Sequence, residues 1–263
     1  MSFGADGNEK ILVSFDESNT KLVPPADGWN DKKDKIDEQK EPNAKDLQWF
    51  YSLQQFALYY EDEKKTKHCI TPISKRIAAT YAHGSHERLT REFTEKKPII
   101  VRCYYNKEYR VEAKVVKRDS ALDVVILQAI SENFIENNPS TTIPDIGMRY
   151  LMLGFLSNIE NRDNPFSLGC GNVTAILNAI LYVGSSGCSK GDSGAGIWNF
   201  SGALIGMNIM VKHNPVQVRQ TIDNRQKQYT YAIGGACVFV PIGVITLFAS
   251  EYIPAEPPIP FEE

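Results

Sequence analysis

The chain has no excess of charge of either sign. Its 29 basic residues stand against 32 acidic ones, for a formal net charge of -3. That balance removes the electrostatic case for a nucleic-acid or anionic-membrane partner. Cysteine is scarce and scattered. Cys69, Cys103, Cys170, Cys188 and Cys237 fit no zinc-ligand spacing, and no cofactor or metal motif is visible. Their odd number leaves at least one unpaired, and free thiols in a reducing compartment are the simpler reading. The opening stretch, MSFGADGNEKILVSFDES, has no basic region followed by an apolar one. The expectation is therefore a cytoplasmic or nuclear protein. Charge is also missing from the run between Tyr229 and Ser250. Its length could span a bilayer. Gly234, Gly235, Pro241 and Gly243 interrupt it, and no basic flank follows, so a buried strand, a Pro-bounded turn and a short C-terminal helix are expected instead.

Hydrophobic residues make up 42% of the 263 positions, enough for a substantial core. Residues 1–45 are polar, broken by proline and glycine, and are expected to be a mobile extension. Residues 46–60, DLQWFYSLQQFALYY, place Leu47, Phe50, Tyr51, Gln54 and Leu58 at near-helical spacing, which predicts a short amphipathic helix. After Lys67 the texture changes to short β-rich runs split by turns: HCITPI, RIAATYA, KPIIVRCYY, YRVEAKVV, LDVVILQAI, RYLMLGF, GNVTAIL, ILYVG, AGIWNF, ALIGMNIMV and YTYAIGGACVFV. No helices alternate with them, so the pattern predicts an all-β sandwich or barrel. A proline-rich tail closes the chain over 254–263.

One turn carries chemistry. In GCSKGDSGAGIWN, Ser193 lies between glycines. A serine hydroxyl attacks a carbonyl only when a base takes its proton and donors receive the oxyanion. Gly191 and Ser193 are two apart, and glycine lets the backbone curl so that both N–H groups can serve that second need. Of the four histidines, His83 is the best base, because a β-run leads to it and Gly84 then ends that run. His86, in a more polar context, reads as a surface residue. Asp123 opens the apolar run DVVIL, an expensive place for an unpaired carboxylate, and so is the candidate to orient the imidazole. Asp119 reads as an exposed turn residue. Cys188 reads as a buried structural thiol.

These motifs resemble those of the trypsin-like (chymotrypsin-fold) serine peptidases. ATYAHG is similar to the family's T-A-A-H-C, LDVVIL to D-I-A-L-L and GDSGAG to G-D-S-G-G. RYLMLGF, GNVTAIL, GALIGMNIM and ACVFVPI are similar to strand motifs of the compact, HtrA-like intracellular branch. The likeness covers about residues 65–250. It implies two antiparallel β-barrels, the first over about 65–130 and the second over about 145–245, within a domain spanning 46–253. It further implies a cleft between them in which Ser193 attacks a peptide carbonyl, His83 is general base and Asp123 orients it. The substrate would be a protein or peptide, and no cofactor is implied. By the same likeness Gly187 would line the substrate pocket, flanked by Asn208, Ile209 and Met210. Gly84 stands where secreted relatives carry a disulfide cysteine. Asp192 lacks the freed amine that pairs with its counterpart in zymogen-activated relatives, so it needs another partner. The alternative reading is a catalytically idle protease-fold module that binds extended peptides or a protein partner.

Overall fold

The computed structural model describes residues 51–155, 166–178, 180–188, 191–213 and 235–254. Within them the β-rich runs build two closed antiparallel barrels of six strands. The first contains β1 (Leu58–Glu61), β2 (Lys67–Pro72), β3 (Ile77–Thr80), β4 (Ile99–Cys103), β5 (Arg110–Asp119) and β6 (Val124–Ala129), in the order β1-β2-β3-β6-β5-β4. The second contains β7 (Arg149–Phe155), β8 (Phe166–Asn178), β9 (Leu181–Gly184), β10 (Gly196–Asn199), β11 (Leu204–His213) and β12 (Gly235–Pro241), in the order β10-β11-β12-β9-β8-β7. Closure leaves no long free sheet edge. Among the described residues two complete short helices accompany them: α1 (Arg91–Lys96), capped by Thr90, whose hydroxyl accepts the Phe93 N–H, and α2 (Ile242–Ala249).

Period-two alternation explains why each strand forms. In β4, Ile99, Val101 and Cys103 point inward while Ile100 and Arg102 are half-buried. Three apolar clusters result. Val101, Val111, Val115, Val125 and Leu127 fill the first barrel. Tyr150, Met152, Ile197, Ile205 and Phe239 fill the second. A third lies between the barrels, where Ile77, Ile126, Leu153, Trp198, Met207 and Val240 meet α2 residues Ile245 and Ala249. A fully buried side chain of this size contributes about 1.5–3 kcal/mol. The third cluster is what fixes one barrel against the other, and so fixes the cleft.

The expected helix over 46–60 fails at its end. Gln54–Phe56 is a single 3-10 turn, and Leu58–Glu61 is β1. The LYYE segment alternates buried and half-buried residues, and it gains hydrogen-bonding partners on both sides, β2 and β4. Barrel closure outweighs the weak helical stripe that Gln54 already interrupted. The first barrel therefore starts ahead of residue 65. The uncharged run at the end of the chain yields β12 and α2, and among the described residues no helix is long and apolar enough to cross a membrane. The 1–45 extension and residues 255–263 of the tail lie outside the described residues.

Candidate active site

The first barrel supplies an acid and an imidazole. β3 ends at Thr80, and the chain runs on to His83, which caps the 3-10 turn Gly84–Arg88. Gly84 sits at φ +57, in the left-handed region that lets the chain turn away directly after the imidazole. Asp123 immediately precedes β6 and is itself left-handed, at φ 57. Both of its carboxylate oxygens are used. Oδ1 accepts the Ala82 N–H at 2.8 Å, and Oδ2 accepts the His83 Nδ1–H at 2.6 Å. The carboxylate can only accept, so the His83 proton is held on Nδ1 and Nε2 is left as a base. The aspartate is buried apart from 14% of its side chain, while the His83 side chain is 49% exposed toward the cleft.

The second barrel supplies the hydroxyl. Ser193 Oγ lies 3.3 Å from His83 Nε2 and 3.4 Å from the Ile209 carbonyl. A hydroxyl has one proton for these two acceptors, so the serine is poised between the imidazole and β11. The turn that carries it is clamped from both barrels. Within the second, the Gly194 N–H donates to Asn208 O, the Asn208 N–H to Ala195 O and Asn208 Nδ2 to Asp192 O. From the first, β2 donates Thr71 Oγ1–H to Gly194 O at 2.8 Å and Cys69 Sγ–H to Gly191 O at 3.2 Å. Gly194, at φ +85, has no room for a side chain: a Cβ would lie 2.5 Å from Cys69 O.

Asp192, the buried acid beside the serine, accepts a hydrogen bond from Ser167 Oγ at 2.8 Å. A Cβ on Gly154 would come within 2.1 Å of its Oδ1, so glycine is required there for the carboxylate to sit in place. β7 and β8 thus provide the surroundings that the sequence left open.

Of the four pocket candidates, Asn208 and Ile209 are buried behind the serine turn, and the Asn208 amide is engaged in holding it. Gly187 and Met210 are exposed. Cys188 is buried, and burial pushes its thiol pKa up. All five cysteines are free, with only Cys170 exposed. Asp119 ends β5 and accepts the Ala121 and Leu122 N–H groups, as a turn residue does. His86 corrects the sequence reading. It is fully buried, stacked on Tyr81 at 3.8 Å, with its Nδ1–H donated to Tyr81 O. Sequence reasoning also passed over His68 and Tyr81, which pack against it, and Asp62, which accepts from His68.

No protein-family model matches the sequence, and no curated protein matches it. Solved structures do. The serine endoprotease from Yersinia pestis aligns with a TM-score of 0.54 at 17% identity, over 77% of this chain and 65% of that one. This chain thus spans less than two thirds of that protein's length. The Rv3671c protease of M. tuberculosis H37Rv, in an inactive form, aligns with a TM-score of 0.51 at 14% identity, over 78% of this chain and 92% of that one. At such identities the likeness is one of architecture, and with the paired six-stranded barrels it establishes that the chain has the chymotrypsin-like fold.

Proposed function

We propose that the chain is a serine endopeptidase that cleaves protein or peptide substrates through an acyl-enzyme on Ser193. The observation that carries this reading is the unbroken line Asp123–His83–Ser193, with contacts of 2.6 and 3.3 Å, at the meeting of the two barrels. His83 Nε2 takes the hydroxyl proton as Ser193 Oγ attacks the scissile carbonyl. Asp123 holds the ring in the needed tautomer and stabilises the imidazolium. The imidazolium then protonates the leaving amine, and water releases the acyl group by the same steps in reverse. The backbone N–H groups of Gly191 and Ser193 receive the oxyanion. The contact of 3.3 Å is longer than a tight hydrogen bond, as is common before substrate closes the site. Gly187 and Met210 are the pocket candidates that a side chain of the substrate can reach. Five free cysteines fit work in a reducing compartment, cytoplasmic or nuclear.

A fluorescent fluorophosphonate tests this without knowledge of the substrate. The expected result is labelling of the wild-type protein that disappears in Ser193→Ala and His83→Ala. A folded wild-type protein that does not label would favour the idle, peptide-binding module instead.

A further inference from the structure

Behind His83 lies a buried polar cluster that the reaction above leaves unused. Tyr81, His68 and His86 are all buried. The Tyr81 ring sits between two imidazoles, stacked on His86 at 3.8 Å and tilted against His83 at 4.6 Å. His83 is half-exposed on its open side, so this ring is its wall on the protein side. The hydroxyl of Tyr81 is tethered in turn. It lies 2.8 Å from His68 Nδ1 and 3.4 Å from Ser85 Oγ. His68 Nε2 lies 3.1 Å from Asp62 Oδ2.

Chemistry fixes the direction of this chain. A carboxylate only accepts, so His68 carries its proton on Nε2, and Nδ1 is the acceptor for the Tyr81 O–H. Burial lowers the His68 pKa despite the opposing effect of Asp62, which keeps that ring neutral and that direction in force. Further charged or titratable groups facing the cluster are Tyr60 of β1, stacked on His68 at 4.8 Å, Cys69 of β2 and Asp123, which both act on Tyr81, and Arg118 of β5, which donates to Ala82 O and His86 O. Asp62 is also the organiser of a surface turn. Its Oδ1 accepts the N–H groups of Lys64 and Thr66 at 2.9 Å each. Asp62, Lys64 and Lys65 line a concavity of about 650 Å³ together with Gly84 and Ser85 of the His83 loop.

We propose that Tyr81, tethered through His68 to Asp62, is a positioning residue for His83, and that the 62–66 turn is where this tether reaches the surface. The inference rests on the endopeptidase reading for its consequence in turnover, but not for its geometry. A cluster that only filled the core would change stability when cut. A tether changes the imidazole.

The test compares wild type with Tyr81→Phe, His68→Leu, His68→Gln and Asp62→Asn. Two quantities are read: the second-order rate of fluorophosphonate labelling against pH, and the titration of the His83 ring by NMR, which needs no turnover. Tyr81→Phe keeps the wall and cuts the tether. It and His68→Leu should slow labelling about ten-fold, since small displacements of a catalytic group have effects of that order or more. Both should shift the His83 titration, and His68→Gln, which can still hydrogen-bond, should recover part of the loss. Unchanged labelling and an unchanged His83 titration in Tyr81→Phe and His68→Leu, with only the melting temperature lowered, would overturn the proposal. A wild-type protein that fails to label would remove the endopeptidase reading alone, and the His83 titration would still decide the tether.

Discussion

The two barrels build their halves of the cleft from different materials. The first offers side chains, each held by another side chain or a backbone amide: Asp123 by Ala82 N–H, His83 by Asp123, Tyr81 by His68 and His68 by Asp62. The second offers backbone brought close by missing side chains. A Cβ on Gly194 would meet Cys69 O at 2.5 Å, and one on Gly184 would meet the Tyr150 hydroxyl at 2.0 Å. One half should therefore fail when a donor or acceptor is lost, and the other when an atom is added.

The largest effect is expected from Asp123→Asn. Asparagine tolerates the left-handed backbone and keeps an oxygen for the Ala82 N–H. Its NH2 group cannot accept the His83 Nδ1–H, so the ring turns to the wrong tautomer. Labelling of Ser193 should fall by about 10⁴-fold, the scale of that loss in a hydroxyl–imidazole–carboxylate triad, with little change in melting temperature. Gly194→Ala makes the reciprocal cut in the second barrel. The methyl group must displace the turn, or β2 beneath it, and labelling should fall about 10²-fold. Here melting temperature should fall as well, because the strain is in the fold itself. If Gly194→Ala leaves labelling intact, the backbone half is more compliant than its spacing implies.

The smallest effect is in pH. Burial lowers the pKa of His86 well below its ordinary 6.5, and lowers that of His68. The unfolded chain binds these two protons near pH 6.5 and the native protein does not. Stability should thus be full above about 6.5 and should decline as pH falls toward the native values, by about 1 kcal/mol per pH unit for each ring. Urea unfolding at pH 5 and 7 would show it, and His86→Gln should flatten the slope. An unchanged slope in His86→Gln would mean that His86 is not held neutral.

This contrast also explains what could be read in advance. The juxtaposition of Ser193, His83 and Asp123 was legible because each sits in a short local pattern: a glycine turn, a run ended by Gly84, an acid at the head of DVVIL. Strands were legible where apolar residues alternate. β1 was not, because its evidence is its partners: Tyr59 pairs with Cys69 on one side and, on the other, with Arg102, which is distant in sequence. His86 was misread for the same reason. Its polar sequence neighbours hide the rings of Tyr60 and His68 that enclose it. Asp62, His68 and Tyr81 have no pattern of their own, and only folding makes them neighbours.

Leu53 and Phe56 lead directly into β1, the opening strand of the first barrel. Leu53 nevertheless belongs to the cluster between the barrels, and the Phe56 ring stacks on Trp198 of β10 at 4.5 Å. In mechanical terms this segment is a clasp from one barrel onto the other. Any motion that widens the cleft by swinging the barrels apart must first peel an aromatic ring from the far barrel.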